Sequence, residues 1–206
     1  MKIICIGRNY ADHIKEFDNG AAPTEPLYFI KPDTSLLRNN DPFFIPSFSK
    51  QVDYETELVV RINRVGKYID RRFAHRYYTE VGLGIDFTAR DLQREAIAKG
   101  LPWEMCKGFD RSAGLSNEFV SLEELDKDIQ DLRFEMTLNG EVRQRGWSGD
   151  MIFSVDEIIA HVSKFMTLKM GDLIYTGTPV GVGPIAPGDR LVASLEGRTL
   201  LDFDIR

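Results

Sequence analysis

Three acidic residues on two short strand-like runs stand out: Glu55 and Glu57 in Asp53-Tyr54-Glu55-Thr56-Glu57-Leu58-Val59-Val60, and Asp86 closing Val81-Gly82-Leu83-Gly84-Ile85-Asp86. Side chains alternate along an extended chain, so Glu55 and Glu57 share one face. Their repulsion raises a pKa or strains the strand unless something positive sits between them, and a hard divalent cation with oxygen ligands is the natural partner. Asp86 would complete such a site. The plain alternative is the wet face of an antiparallel strand, which also alternates acidic and apolar residues. Against it, Asp86 ends a Gly-rich apolar run where solubility needs no carboxylate.

The rest of the chain reads as short strands with a few helices. Ile3 to Ile6, Leu27 to Ile30, Phe43 to Ile45, Glu57 to Ile62 and Val81 to Asp86 are strand-like runs separated by Pro, Asn and Gly. Phe134, Met136 and Leu138 alternate with polar residues, and Asn139-Gly140 supplies a two-residue hairpin turn before Val142. Leu173 to Thr176, Arg190 to Leu195 and Leu200 to Ile205 add further strands, the last two joined by a turn at Glu196-Gly197-Arg198. Ser154 with Glu157 forms a capping box ahead of a core stripe of Ile158, Ile159, Val162, Phe165 and Met166. A second helix spans Asp91 to Lys99 and stops at Gly100; a third runs from Asn9 or Tyr10 to Phe17. Strands and helices do not alternate regularly, so a strand-rich α+β fold is expected.

With 206 residues and 43% hydrophobic content the chain can bury a full core, and one domain over residues 1–206 is expected. A net charge of −6 without a basic stripe argues against nucleic acid or an anionic membrane as partner. Two cysteines, Cys5 and Cys106, are too few for a disulfide framework and fit a reducing cytoplasm. No apolar run reaches signal-peptide or membrane-spanning length, so a soluble protein is expected.

Other groups invite chemistry. His13 and Glu16 are helical neighbours, a spacing at which a carboxylate fixes an imidazole's tautomer and raises its basicity; a surface ion pair is the plain alternative. Of three histidines, His75 and His161 lack such a partner. Lys107, beside Gly108, could stabilise an oxyanion or enolate. Cys106 reads as a buried, inert thiol. Gly181, Gly183 and Ala186 match a dinucleotide-binding spacing, yet Pro184, Pro187 and Gly188 leave no room for the helix that fingerprint needs. The stretch reads as a rigid loop whose amides and Thr178 hydroxyl can face a small anion.

Gly7-Arg8-Asn9-Tyr10 with His13, Phe29-Ile30-Lys31-Pro32, Asp53-Tyr54-Glu55-Thr56-Glu57, Asp86-Phe87-Thr88-Ala89-Arg90-Asp91, Asn139-Gly140-Glu141, Asp150-Met151-Ile152-Phe153 and Gly171-Asp172-Leu173-Ile174-Tyr175-Thr176-Gly177-Thr178-Pro179 together resemble the fumarylacetoacetate hydrolase family. The resemblance spans nearly the whole chain and is to the small single-domain branch of acylpyruvases and oxaloacetate decarboxylases, without the N-terminal extension of larger members. It implies the layered mixed β-sheet roll of the family's C-terminal catalytic domain, with a few short helices and assembly as a homodimer. It implies Mg²⁺ or Mn²⁺ held by Glu55, Glu57 and Asp86, with Ca²⁺ as an inert substitute. It implies a mobile lid helix near residues 9–20, where His13 and Glu16 position or deprotonate water. Lys107 would be the catalytic lysine near the metal; Arg8, Gln93 and Thr178 would hold the substrate's carboxylate and oxo oxygens. The family's Pro is missing from Asp110-Arg111-Ser112-Ala113-Gly114, which leaves the distal pocket wall unassigned. The implied activity is metal-dependent hydrolysis of a carbon–carbon bond in 2,4-dioxo acids (acylpyruvates), giving pyruvate and a carboxylic acid. Alternatives are oxaloacetate decarboxylation or 2-hydroxy-diene-dioate isomerisation on the same site and, more remotely, a non-catalytic binding protein.

Overall fold

The computed structural model describes residues 1–12 and 22–206. His13 and Glu16, and the body of the expected third helix, lie outside the described residues.

The largest sheet runs Leu27–Lys31, Ile3–Gly7, Leu173–Tyr175, Thr56–Arg61, Glu80–Asp86, Ala113–Leu115, Leu36–Leu37, with Val120–Ser121 pairing beside Glu80–Asp86. Ile3–Gly7 is parallel to Leu173–Tyr175 and Leu36–Leu37 to Ala113–Leu115, and the remaining pairs are antiparallel. An antiparallel sheet of Glu141–Trp147, Arg133–Leu138, Arg190–Leu195 and Arg198–Asp204 packs against it, and a small sheet joins Gly183–Pro184, Val52–Tyr54 and Thr88–Ala89. The result is the expected strand-rich α+β architecture, a mixed sheet curled into a half-barrel with few short helices.

The central strands of the large sheet are buried on both faces, which is why they read as unbroken apolar runs instead of alternating ones. Ile4, Leu58, Val60, Leu83, Ile85 and Ile174 face the main core, shared with Phe134, Met136, Leu191, Ala193 and the helix residues Ile158, Ile159 and Val162. Ile3, Cys5, Val59, Leu173 and Tyr175 face a smaller second cluster on the opposite side.

Turn and cap chemistry explains the element ends. Asn139 and Gly140 take φ of 55° and 81°, the two positive angles of the expected hairpin turn. Glu196 and Gly197 repeat this with φ of 48° and 80°, so that Arg198, expected in the turn, already pairs in the strand. The Ser154 hydroxyl accepts from the Glu157 amide while Glu157 Oε2 accepts from the Ser154 amide, capping Val155–Phe165. Phe165, expected on the core stripe, is 61% exposed and rests on Tyr28 and His161 beside the edge strand. Phe43 to Ile45 is a single bridge, Phe43 to Ile205, and no strand. Pro42 and Pro46 bracket it and bring no backbone donors, which stops a ladder from extending. The run from Asp53 to Val60, expected as one strand, breaks at Glu55 into Val52–Tyr54 and Thr56–Arg61, and Ala113–Leu115 went unread because so short a run carries no periodicity.

Candidate metal and substrate site

Parity along the strands places the acids. Leu58 and Val60 face the main core, so Glu57 and Val59 point to the other side; Leu83 and Ile85 face the main core, so Gly84 and Asp86 share the side of Glu57. Glu57 lies directly opposite Gly84, where the absence of a side chain makes room for the Tyr175 ring. Glu55 sits at the break between Val52–Tyr54 and Thr56–Arg61, and its carbonyl accepts from the Asp86 amide at 2.8 Å. One carboxylate oxygen from each of Glu55, Glu57 and Asp86 lies within 4.8 Å of the others, and all three residues are buried.

Cations surround the cluster. Lys107, at the end of the short helix Glu104–Lys107, donates to Glu55 Oε2 at 2.7 Å, Asp86 Oδ2 at 2.8 Å and Thr88 Oγ1 at 2.6 Å. Burial alone would push its ammonium down, but Asp86 and Glu55 outweigh burial and hold it above the ordinary lysine value. Lys107 is therefore a fixed cation whose three N–H donors are engaged. It is neither a base nor a free donor. Lys31, at the end of the edge strand, is fully buried and donates to Ser112 O at 2.7 Å, Ser112 Oγ at 3.0 Å and Phe87 O at 3.2 Å. Its Nζ also stands 2.6 Å from Asp86 Oδ1, out of line for a hydrogen bond, and that oxygen is otherwise buried without a partner. Arg90 pairs with Asp53 at 2.7 Å and Glu55 at 2.6 Å.

Glu57 is the least neutralised of the acids. Only its Oε2 is hydrogen-bonded, to the Gly177 amide at 2.7 Å. Burial, then repulsion from Asp86 and Glu55, pushes its carboxyl well above the ordinary glutamate value. An all-oxygen donor set, an Asp86 Oδ1 that accepts no hydrogen bond and an under-neutralised Glu57 would suit a small hard divalent cation.

A cleft of about 420 Å³ opens over the cluster. Glu55, Glu57, Lys107 and Arg90 form its floor, and Arg8, at a φ of 59°, Thr178 and, on the helix Arg90–Lys99, Gln93 line it with them. Asp86 is 1% exposed and lies beneath this floor. Gln93 Oε1 accepts from Arg90, leaving its amide hydrogens for a ligand. Thr178 Oγ1 accepts from Gln144 Nε2 at 2.8 Å and keeps its own proton to donate. The expected anion-facing loop is thus only partly available, because the Gly177 amide is spent on Glu57. Burial raises the Cys106 thiol above its ordinary value despite Lys107 beside it, in keeping with an inert thiol.

Sequence reasoning assigned no role to Lys31, Asp53, Arg90 or Gln144. The signal used for Asp86, a charge in an apolar run, was also present at Lys31 after Leu27 to Ile30. Gln144 had no such signal: from the other sheet its Oε1 accepts from the Thr56 backbone amide at 2.9 Å.

Residues 2–205 match the family model described as fumarylacetoacetate (FAA) hydrolase C-terminal. The chain is 40% identical over 203 residues to a mitochondrial oxaloacetate tautomerase of Bos taurus, covering 98% of this chain and 90% of that protein. It is 40% identical over 206 residues to a mitochondrial oxaloacetate decarboxylase of Dictyostelium discoideum, covering 99% and 93%. Among solved structures, the fumarylpyruvate hydrolase of Pseudomonas aeruginosa in complex with Mn²⁺ and pyruvate superposes with a TM-score of 0.92 at 31% identity, covering 100% of this chain and 89% of that one.

Proposed function

Because the chain belongs to the fumarylacetoacetate hydrolase family, we propose that it is a divalent-cation-dependent enzyme of small 2-oxo acids, with oxaloacetate tautomerisation or decarboxylation as its foremost reaction. The observation that carries this reading is the set of three buried carboxylates within 4.8 Å under a cleft. The relatives' names move oxaloacetate ahead of carbon–carbon hydrolysis, which heads the sequence-based expectation. Hydrolysis of 2,4-dioxo acids is the second reading, favoured by the likeness to a fumarylpyruvate hydrolase.

Glu55, Glu57 and Asp86 would hold the ion. A bound Mg²⁺ or Mn²⁺ would supply Lewis acidity at the substrate's 2-oxo group. Lys107 adds a permanent positive charge where negative charge develops on the substrate, acting by field since its N–H donors are occupied. The Gln93 amide and Thr178 hydroxyl donate to the substrate's oxygens, and Arg8 flanks its carboxylate. Tautomerisation moves one proton between C3 and the 2-oxo oxygen, while decarboxylation releases CO₂ and returns a proton to C3. Hydrolysis additionally needs water activated by His13, oriented by Glu16 on the proposed lid. Assembly as a homodimer and a place in the cytoplasm belong to the same proposal. Among the described residues no helix is long and apolar enough to cross a membrane.

The test is a turnover screen of oxaloacetate, acetylpyruvate and fumarylpyruvate with added Mn²⁺, with wild type and His13→Ala. Oxaloacetate should be consumed, chelation should stop it, and His13→Ala should cut acetylpyruvate hydrolysis by about a hundredfold or more while sparing most decarboxylation. No turnover of any 2-oxo acid, with no calorimetric Mg²⁺ or Mn²⁺ binding at about millimolar metal, would leave the binding-protein alternative standing.

The raised Glu57 carboxyl has a consequence for pH. A raised folded-state pKa contributes stability below the ordinary glutamate value of 4.5 that is lost as pH climbs toward the folded value. The metal-free protein should therefore melt at lower temperature as pH rises from about 5 to 8, and the increment conferred by Mn²⁺ should grow over the same range. A metal increment independent of pH would contradict this account of Glu57.

A further inference from the structure

The helix Arg90–Lys99 turns Arg90, Gln93, Arg94 and Ile97 toward the cleft, residues spaced three, four and seven apart on one helical face. Arg90 is buried and neutralised by Asp53 and Glu55. Arg94 lies one turn on, about 6 Å along the axis at 1.5 Å per residue. Among the described residues its hydrogen-bond partner is a neutral one: Nη2 donates to Gln51 Oε1 at 3.1 Å, and Gln51 is itself anchored through Nε2 to Asp53 Oδ1 at 2.9 Å. The neighbouring acids are engaged elsewhere, Asp91 with Ser49 at 2.6 Å and Lys50 at 2.9 Å, and Glu95 with Lys99 at 2.6 Å. Among the described residues no carboxylate is within ion-pair distance of Arg94. A guanidinium thus stands at the cleft wall with no counter-charge among the described residues.

The floor has its own balance. Asp53, Glu55, Glu57 and Asp86 face Lys31, Arg90 and Lys107, an excess of one negative charge. A divalent cation turns that into an excess of one positive charge, which the first carboxylate of a 2-oxo acid neutralises. Arg8, the other cation lining the cleft, flanks the first carboxylate; a second carboxylate finds no further charge on the floor, and Arg94 supplies one a helix turn away. Resting on the proposed 2-oxo acid chemistry, we propose that Arg94 is the receptor for a second, distal carboxylate, so that the preferred substrate is a dicarboxylic 2-oxo acid and not an acylpyruvate with an apolar tail. The competing reading places an alkyl tail on Ile97, Ala98 and Trp103, which line the same wall.

The experiment compares wild type, Arg94→Gln and Arg94→Lys, all Mn²⁺-loaded, on oxaloacetate and on acetylpyruvate, which lacks the second carboxylate. Loss of one charge-assisted contact at an exposed position should raise KM for oxaloacetate about tenfold in Arg94→Gln with kcat little changed. KM for acetylpyruvate should stay within about twofold, and Arg94→Lys should recover part of the loss. Calorimetric binding of 2-oxoglutarate, whose distal carboxylate is not β to the oxo group and is not lost, against 2-oxopentanoate compares a dicarboxylic with a monocarboxylic 2-oxo acid without turnover: wild type should favour the dicarboxylate and Arg94→Gln should lose that preference. Equal shifts for both ligands, no shift for either, or wild-type preference for the monocarboxylic acids would overturn the assignment. Failure of wild type to turn over any 2-oxo acid would count against the proposed function, while the binding comparison would still decide Arg94.

Discussion

Lys31→Met should lower folding stability by about 3–5 kcal/mol, the cost of leaving one member of a buried ion pair without its partner. Lys31 is fully buried and ends an apolar edge strand, where its ammonium ties the Ser112 and Phe87 carbonyls together. It is also the only described cation beside Asp86 Oδ1, at 2.6 Å, whereas Lys107 serves Oδ2. A methionine matches the length and apolar stem of the lysine, so packing is conserved and the loss reports the ammonium's charge together with its hydrogen bonds to Ser112 and Phe87. Urea unfolding of metal-free wild type, Lys31→Met, Asp86→Asn and the double variant checks this. The double variant should recover a substantial part of the loss, because two partners removed together leave no orphaned charge. A single-variant loss under about 1 kcal/mol, or strict additivity, would show that Lys31 does not offset Asp86.

Glu57→Gln should move activity and stability in opposite directions. Losing one charged ligand removes several kcal/mol of the ion's contribution, so kcat should fall about a thousandfold or more and Mn²⁺ affinity should drop with it. Yet the glutamine keeps an oxygen for the Gly177 amide, which Glu57 Oε2 accepts at 2.7 Å, and discards a charge that burial, Asp86 and Glu55 all oppose. The metal-free variant should therefore be more stable than metal-free wild type near pH 8, by about 1 kcal/mol or more, since each unit of pKa elevation corresponds to about 1.4 kcal/mol. Calorimetric melting of the metal-free proteins, with Mn²⁺ titration of each, reads both halves. A variant that loses activity and is also less stable would mean that Glu57 is a packing residue and not a strained ligand.

Local chemistry made part of this molecule readable before any coordinates. Asn139-Gly140 requires two positive backbone angles, and Ser154 with Glu157 satisfies helix-end amides, so those elements are set by neighbours in the chain. The acids were legible for a related reason: carboxylates in apolar strand-like runs conflict with burial, and that conflict is written in the residues themselves. Phe43 to Ile45 and Phe165 read wrongly because apolar character says that a residue prefers cover without saying which element provides it.

What the sequence determined by itself was the inventory of charge and the strand-rich class, because both follow from residue type and spacing over a few positions. Only the tertiary structure decided that Asp86 shares a sheet face with Glu57, that Lys31 from the edge strand reaches it, and that Arg94 lines the cleft with a neutral partner in Gln51. These depend on pairing register, where a slip of one residue sends every side chain to the opposite face, and on contacts between residues far apart in the chain whose distances no local pattern encodes.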